Sequence, residues 1–466
     1  MNYDYGMMPP INIKIRGKDF DDSDAGRWQN YQEYLNFYFG EQFMQPAKSG
    51  ERRITLNYAR LLVNKQTSFL LGGGVKIECR DDGAEEALAK VADYNSLDLL
   101  DYETAVDAAV LGDACWKVTK REGKQQEVGA KILVRSVDVT QLSATWAGDD
   151  LREVLSVTER YVLSAAEVAQ RWGVSRPEAD WVNVMEVWTE EVYRVEIEGF
   201  DPIVQANPYG FIPYVIFPNV RRPRLFWGDS DLVDLLPLCS EFNTRVSVMA
   251  QILQLSGNPI LVLENVTDSA GLRVGPGAIW HLPEDSKAYL LNLLEHGGLD
   301  AHDRYIQMLL QSIHDLAEMP QSAFGRGEIA SQMASGVALE ILLQPVIHKI
   351  KRKRAIWSEA LRRRSQMILR LLGRDSQQEI RVIWPNILPS DMATMVANEL
   401  GLVSAGIHSR RTANRNLGEE NPGAEVDEAL SEAERWAAIS PNHQNQGKPV
   451  QVSGALVQGL ARAAGR

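Results

Sequence analysis

The sequence predicts an α+β fold with several domains, and three observations support this prediction. Over the first 225 residues, helical patterns alternate with segments in which apolar and polar residues alternate, as they do in strands. From Asp229 onward the pattern is mainly helical, with a compact β segment between two helical runs. A chain of 466 residues is also too long for one ordinary core, so two to four domains are expected.

Two helices are predicted near the start of the chain. The first, DAGRWQNYQEYLNFYFG, has Asp24 as its expected N-cap and aromatic residues at helical spacing. The second, ITLNYARLLVNKQTSFLLGGG, ends at Gly72–Gly74 and is followed by the strand VKIECR. A phosphate-binding glycine loop leads from a strand into a helix, so this reversed order indicates a helix C-cap and turn. One face of the second helix is formed by Leu56, Ala59 (or Arg60), Val63, Thr67 and Leu70.

The rest of the first half is rich in strands. SLDLLDYETAVDAAVLGDACWKVTKREG is predicted as helix, glycine and strand. AKILVRSVDVTQLSATWAG, REVLSVTERYVL and WVNVMEVWTEEVYRVEIEG follow, with valines and tryptophans alternating with polar residues. NPYGFIPYVIFPN is a strand bounded by prolines, which favours an edge position or a turn.

The second half is predicted as helix, β segment, helix, loop and a long helix. A helical run extends from Asp229 to Gly257, and the strand-like NPILVLENV, LRVGPGAIWHLP and KAYLLNL follow. Another helix ends before Pro320, and the glycine-rich QSAFGRGEIASQMASG leads into the long one. If Val337 to Leu372 is continuous, it is roughly 54 Å long at 1.5 Å per residue. Because proline cannot donate its backbone hydrogen bond, a kink is expected near Ile341 to Pro345.

The C-terminal part is predicted to be a strand followed by helices. EIRVIWPNILP is the strand, and SDMATMVANELGLVSAG and SRRTANRNLG are the helical segments. The acidic GEENPGAEVDEALSEAERW comes next, and the polar remainder is expected to be a mobile tail.

Composition excludes several classes of protein. A hydrophobic content of 45% and a charged content of 24% are typical of a soluble globular protein. No apolar run reaches the roughly 18 residues of a membrane span, and no signal peptide is expected. The three cysteines form no CxxC pair, which favours a reducing compartment such as the cytoplasm. A net charge of -13 argues against a protein that coats nucleic acid, although an acidic wall would let nucleic acid slide past.

The sequence contains no recognisable catalytic, metal or cofactor motif. There is no GxxxxGK[ST] loop, no GxGxxG after a strand, no HExxH and no GxSxG. The seven histidines have neither histidine nor cysteine at metal-ligand spacing. We therefore expect a protein that is not an enzyme, with no metal and no cofactor. A helical hairpin, a flexible loop and a rod this long cannot bury all their faces in one monomer, so a ring of copies is the simplest solution.

The order of these elements resembles the portal protein of tailed double-stranded DNA bacteriophages. The resemblance covers about residues 25 to 435 and rests on three segments. NYARLLVNKQTSFLLGGGVKIE is similar to an early helix and glycine turn, and NPYGFIPYVIFPN with WGDSDLVDLLPLCSEFNTRVS resembles the strand that leads into the first stem helix. SGVALEILLQPVIHKIKRKRAIWSEAL resembles the long helix after the tunnel loop.

This resemblance implies a homo-oligomeric ring, usually of twelve subunits, at one vertex of the capsid. Double-stranded DNA would pass through its channel, driven by a separate terminase, and capsid, scaffolding and tail or head-completion proteins would dock to it. It would be assembled in the host cytoplasm and reside in the virion, with no membrane partner. The implied regions are a wing (1–228), a stem helix (229–256), a clip (257–297), a second stem helix (298–319), a tunnel loop (320–335), the long wing helix (336–375), a helical crown (376–435) and a flexible tail (436–466).

The tunnel loop of this resemblance would face DNA. A loop that touches moving DNA should be flexible and should bind weakly. The two charges of this loop, Arg326 and Glu328, nearly cancel. An ordinary surface loop is the alternative interpretation. The implied contact residues are Phe324, Gly325, Arg326, Gly327, Glu328, Gln332 and Met333.

Eight basic residues on the long helix are the second candidate site. They could line the channel, meet capsid or scaffold, or pair with acids of a neighbouring subunit or of the same chain, for which the acidic GEENPGAEVDEALSEAERW is the candidate. A solvated helix face is the remaining interpretation. Neighbouring residues diverge by about 100° on a helix, so the cluster cannot serve one purpose as a whole. Its members are Lys349, Lys351, Arg352, Lys353, Arg354, Arg362, Arg363 and Arg364.

Two other functions compete with the ring. One is a non-ring nucleic-acid-binding protein that uses residues 349–364 to contact phosphates, against which the net acidity argues. The other is a metal-dependent nuclease or NTPase hidden in the α+β region, against which the absence of motifs argues.

Overall fold

The structure of the protein is a computed structural model with mixed helix and sheet, as the sequence predicts. Two compact units are present, Met1–Ile387 and Leu388–Arg466. In the part of the chain that the structure describes, no helix is long and apolar enough to cross a membrane. The described residues are 22–43, 51–121, 123, 127–174, 180–257, 261–265, 284–290, 298–324, 340–387, 392–419 and 422–439.

Helices and strands alternate in the first half of the larger unit, and its second half is mostly helical. The helices are α1 (Asp22–Phe39), α2 (Tyr58–Leu71), α3 (Asp82–Asn95), α4 (Leu97–Leu111), α5 (Ala165–Trp172), α6 (Leu236–Gly257), α7 (Gly298–Leu316) and α8 (Gln344–Leu371). The strands are β1 (Lys76–Cys79), β2 (Asp113–Lys120), β3 (Ile132–Ser136), β4 (Leu142–Trp146), β5 (Val154–Ser164), β6 (Trp181–Trp188), β7 (Val192–Ile197), β8 (Ile203–Ala206), β9 (Tyr214–Pro218), β10 (Leu261–Glu264), β11 (Lys287–Leu290) and β12 (Ile380–Ile383).

The smaller unit is helical. It consists of α9 (Met392–Ser404), α10 (Arg410–Asn416) and α11 (Pro422–Ile439). Ser409 caps α10 by accepting a hydrogen bond from the backbone N–H of Thr412. His408 and Asn416 both contact the carboxylate of Glu399, which joins α9 to α10.

The described strands form four antiparallel sheets. A five-stranded sheet has the order β4-β5-β6-β7-β8, and a three-stranded sheet has the order β3-β2-β9. Val182 and Val184 of β6 and Val195 of β7 are buried in one cluster with Val168 of α5. The proline-bounded β9 lies at an edge, as predicted. Two pairs, β1 with β12 and β10 with β11, complete the set.

The glycines after α2 end a helix, as the sequence predicts. The N–H of Gly72 donates to the Ser68 carbonyl, and Gly74 adopts a positive φ of 76°. Two other expectations for this region are wrong. Asp24 is not an N-cap, because α1 begins at Asp22 and Asp24 pairs with Arg27 inside it. Leu56 lies before α2, whose N-cap is Asn57.

The helical run expected from Asp229 begins at Leu236 instead. The backbone of the preceding residues is occupied elsewhere, because the N–H of Asp231 donates to the Ala109 carbonyl. The hydroxyl of Ser230 also donates to the carbonyls of Ala109 and Val110. These contacts attach the start of α6 to the end of α4.

The long helix is broken at its start, not kinked. Residues 340–342 are helical, Leu343 leaves the helical conformation with φ −92° and ψ 2°, and α8 begins at Gln344. Pro345 lies in the first turn of α8, where its missing N–H costs nothing. The expected kink is therefore a helix boundary, and α8 is about 42 Å long at 1.5 Å per residue. The stretch 325–339, including Val337, lies outside the described residues.

Gly112 permits the close approach of α4 and the residues before α6. It has φ 96°, and a Cβ there would lie 2.7 Å from the Ser230 nitrogen and 2.8 Å from the Asp229 carbonyl carbon. We expect Gly112→Ala to destabilise the protein more than Gly173→Ala does. Gly173 shares the positive φ of 72° but has open space, so its variant should lose only about 1–2 kcal/mol.

Thermal unfolding of the two variants measures this difference. Both variants place alanine at a positive φ, so this conformational cost is common to them. The additional loss of stability in Gly112→Ala therefore measures the clash with the backbone of Asp229 and Ser230. Equal melting temperatures would contradict the interpretation.

Candidate functional site along the long basic helix

Half of the eight basic residues between Lys349 and Arg364 on α8 are buried. Lys349, Lys353, Arg354 and Arg364 are only 8%, 3%, 9% and 5% exposed. Since a charged group is rarely buried without a partner, each must be compensated inside the subunit. The structure shows these partners: Asp231 for both lysines, the Pro385 carbonyl for Arg354 and Asp101 for Arg364.

Asp231 is the partner of both buried lysines. Its carboxylate lies 3.1 Å from the Lys349 ammonium and accepts a hydrogen bond from Lys353. Lys349 also donates to the Ala317 carbonyl at 3.1 Å, and Lys353 to the Gln66 side chain at 3.4 Å. We call these five residues the Asp231 cluster. It joins α2, the segment before α6, the segment after α7, and α8.

Charge balance in the Asp231 cluster controls its ionisation. Burial by itself would raise the pKa of the Asp231 carboxyl, but Lys349 and Lys353 outweigh burial and hold that pKa at about 2. Burial lowers the pKa of the Lys353 ammonium, and the charge of Asp231 opposes this only in part. The carboxylate is thus ionised at neutral pH, and its two cations depend on it.

Arg354 and Arg364 are compensated in different ways. Arg354 donates to the Pro385 carbonyl at 2.6 Å and lies over the Trp384 ring at 4.9 Å. Burial lowers the pKa of the Arg354 guanidinium. Arg364 forms a two-pronged ion pair with Asp101, with one hydrogen bond of 2.8 Å, and lies 4.2 Å over the Trp116 ring. Such forked pairs fix geometry as well as charge.

The other four basic residues remain accessible in varying degree. Lys351 and Arg352 are exposed, and Arg352 pairs with Glu318 at 2.6 Å. Arg362 pairs with Glu359 on the surface of α8. Arg363 is half-buried, and burial lowers its pKa. The four buried residues have partners within the chain, and a contact of the cluster with a neighbour or partner stays a prediction.

The loop before α8 is described only at its start. Gln321–Phe324 form a short 3-10 helix, and the Phe324 ring packs edge-on against His314 with centroids 5.5 Å apart. His314 Nδ1 in turn donates a hydrogen bond of 2.8 Å to the Met319 carbonyl. The other candidates of this loop lie outside the described residues: Gly325, Arg326, Gly327, Glu328, Gln332 and Met333.

A second buried ionic cluster joins the two larger sheets. Lys117 of β2 donates to Glu159 at 2.9 Å and to Glu186, so one cation serves two carboxylates. Arg135 and Tyr214 also donate to Glu159, at 2.7 and 2.6 Å. We call this set the Lys117 cluster. Its charge pattern is the reverse of the Asp231 cluster.

Glu186 depends more on the lysine than Glu159 does. Among the described residues, its donors besides Lys117 are neutral groups, including the Tyr161 hydroxyl and the Trp188 indole at 2.9 Å. Burial would raise the pKa of Glu186, but Lys117 and these donors lower it below its usual value.

Neither cluster could be found from the sequence. Lys353 and Asp231 are 122 positions apart, and Lys117 is 42 positions from Glu159 and 69 from Glu186. Nothing in the local pattern around Asp231 marks it as an ion-pair partner. Among the described residues, no group of three or more His, Cys, Asp or Glu side chains could hold a metal ion.

Comparison with known families gives one match over most of the chain. The model described as "Phage portal protein, SPP1 Gp6-like" matches residues 19–438. No individually curated protein matches the chain. Phage portal proteins are bacteriophage capsid components that serve DNA packaging and act as the head–tail connector. Since the match extends over nearly the whole sequence, with α1 to α10 and all twelve described strands inside it, the chain belongs to the phage portal protein family of the SPP1 Gp6-like kind.

Proposed function

We propose that the chain assembles into a ring at one capsid vertex, through whose channel the viral DNA is packaged and ejected. The observation that carries this proposal is the family match over residues 19–438. In this role the protein is structural, not catalytic. A ring of twelve subunits is the expected number, and the virion is the expected location.

The proposed regions follow the chain order. Residues 1–228 form the wing, 257–297 the clip and 320–335 the tunnel loop, with the crown at 376–435 and a tail after it. The two stem helices would be α6 and α7. They pack together where the Arg245 guanidinium of α6 lies 5.6 Å from the centre of the Tyr305 ring of α7. The long wing helix would be α8. Terminase, capsid or scaffolding proteins and tail or head-completion proteins would dock to this ring.

An apolar stripe on α7 supports packing between copies. Tyr305, Met308 and Leu316 are 37%, 53% and 54% exposed. At 3.6 residues per turn they fall within an arc of roughly 80° on one side of the helix. The stripe runs beside the face that carries the buried Leu309 and Ile313. A different surface of the neighbouring copy would cover it, since a ring joins unlike surfaces of adjacent subunits head to tail.

DNA would meet the loop that starts at Phe324 and continues through Arg326 and Met333. Lys351, Arg352, Arg362 and Arg363 would be left for contacts with a neighbour or partner. A non-ring protein that grips phosphates with residues 349–364 is less well supported, because four of the eight basic side chains are buried on partners within the chain.

Electron microscopy of the purified full chain tests the ring. We expect negatively stained particles with radial symmetry and a central hole. Particles without a hole under all assembly conditions would contradict the proposal, and so would tight, salt-dependent binding of DNA by the monomer.

A further inference from the structure

The five-stranded sheet has an open edge at β8 in the described chain. β8 pairs with β7 on one side, and no described strand pairs with its other side, which we call the β8 edge. The strand reads IVQA, without a charged residue, and its Val204 is 61% exposed. An edge strand leaves backbone N–H and C=O groups unpaired, and charged side chains are a common protection against unwanted pairing. The β8 edge lacks that protection, so it can accept another strand.

The apolar cluster between this sheet and α5 reaches the β8 edge without being closed there. Val195 of β7 is fully buried in the cluster, whereas Tyr193 of β7, Phe200 and Ile203 of β8 are only partly buried. A further strand would cover them if its apolar side chains lay on the α5 face of the sheet. The opposite face, which we call the outer face, suits polar side chains. The β8 edge therefore favours a partner strand in which apolar and polar residues alternate.

One segment before α1 has this pattern. Residues 11–16, which lie outside the described residues, read INIKIR, so that three isoleucines alternate with asparagine, lysine and arginine. In a strand, the isoleucines share one face and the polar residues share the other. Pro202 and Pro208 flank β8 and limit its pairing to about four residues. A segment of six residues is long enough to fill that length.

The described chain begins beside the same sheet. Arg27, in the second turn of α1, donates to the Leu142 carbonyl of β4 at 2.7 Å. Burial lowers the pKa of the Arg160 guanidinium on β5, and the nearby charge of Asp24 opposes this effect. Arg160 belongs to the outer face, because the next residue, Tyr161, packs into the apolar cluster on the α5 face. The first turns of α1 therefore lie close to β4 and β5.

The distance to β8 is within reach of the residues that precede α1. β5 and β8 are three strand spacings apart, which is about 14 Å. The extended chain from residue 16 to residue 22 spans up to about 20 Å. Residues 17–21 can therefore cross the sheet and bring residues 11–16 to the β8 edge of the same chain.

We propose that residues 11–16 add to β8 of the same chain as a sixth strand of this sheet. The isoleucines would cover Tyr193, Phe200 and Ile203, and Lys14 and Arg16 would lie on the outer face. The new edge would then carry two basic side chains, which protects it from pairing with the sheet of another molecule. The contact lies within one chain, so it does not depend on the proposed ring.

Disulfide trapping in the full chain tests the position of the segment. Lys14→Cys is combined with Val204→Cys, and Asn12→Cys and Arg16→Cys cover the neighbouring registers. After mild oxidation, we expect at least one of these pairs to form a link within one chain, identified by mass spectrometry of its peptides. The matched control combines the same N-terminal cysteines with Thr145→Cys, an exposed position on β4 at the opposite edge of the sheet, and should form no link.

Hydrogen exchange supplies a second measurement. The backbone N–H groups of β8 that face the β8 edge should exchange at least about tenfold faster in Ile13→Pro than in the wild type, because proline disrupts the added strand. The N–H groups of β4 should exchange alike in both proteins. The inference would be overturned by a link to Thr145 in preference to Val204, by links only between chains, by no link to Val204 in any register, or by equal exchange of β8.

Discussion

Replacing Asp231 with asparagine is expected to lower the free energy of unfolding by about 3–5 kcal/mol, because two buried lysines lose their shared carboxylate. Lys349 and Lys353 are only 8% and 3% exposed, so water cannot replace that partner. Gln66 and the Ala317 carbonyl remain as hydrogen-bond acceptors but carry no net charge. Urea unfolding followed by tryptophan fluorescence measures the loss.

An exposed ion pair next to the Asp231 cluster supplies the control. Glu318→Gln removes the partner of Arg352, whose side chain is 60% exposed, and should lower the free energy of unfolding by less than about 1 kcal/mol. If Asp231→Asn cost no more than Glu318→Gln, the cluster would not hold the joint between α2, α8 and the ends of α6 and α7.

The loss should also depend on pH in a defined direction. In the wild type, the pKa of Asp231 is held at about 2, below its usual 3.8. The contribution of the Asp231 carboxylate to the free energy of unfolding is therefore present above about pH 3.8 and is lost as pH falls toward 2. In Asp231→Asn, burial still lowers the pKa of the Lys353 ammonium, so the unfolded chain binds more protons than the folded one. The loss in free energy of unfolding caused by Asp231→Asn should therefore shrink as pH rises from neutral toward 10.

Local patterns were sufficient to predict much of the fold. The alternating valines of β6 and β7 form a sheet face, and the predicted order of helix, Gly112 and strand matches α4 and β2. Gly72–Gly74 follow the end of α2 and turn the chain toward β1, with a positive φ at Gly74. In each of these elements, the signal and the structure it specifies lie within a few residues of each other.

Long-range contacts explain where such reasoning failed. The segment after Asp229 has the apolar spacing of a helix, yet its backbone bonds to the end of α4, far away in sequence, and α6 starts late. The basic residues of α8 look like one exposed cluster, but Arg364 is neutralised by Asp101 from α4. No local pattern contains these partners, so the burial of half of the cluster could not be predicted.

The second large loss of stability is expected in the Lys117 cluster, where one cation lies between two carboxylates and the charges are the reverse of those in the Asp231 cluster. Lys117→Met should lower the free energy of unfolding by about 3–5 kcal/mol, because Glu159 and Glu186 lose the cation between them. Methionine keeps the length of the side chain, so the loss reports charge more than packing. The control is Lys90→Met, which removes an exposed partner of Glu86 and should change stability by less than about 1 kcal/mol.

The pH dependence of this variant should be opposite to that of Asp231→Asn. Without Lys117, burial dominates at Glu186 and raises its pKa above the usual 4.5, whereas Glu159 keeps Arg135. A folded state with a raised carboxyl pKa binds more protons than the unfolded chain. The loss in free energy of unfolding caused by Lys117→Met should therefore shrink as pH falls from neutral toward 4.5. Unfolding measured at pH 5, 7 and 9 on both variants separates the two cases. Parallel pH responses would contradict these assignments, because a buried cation left alone and a buried anion left alone must respond to protons in opposite directions.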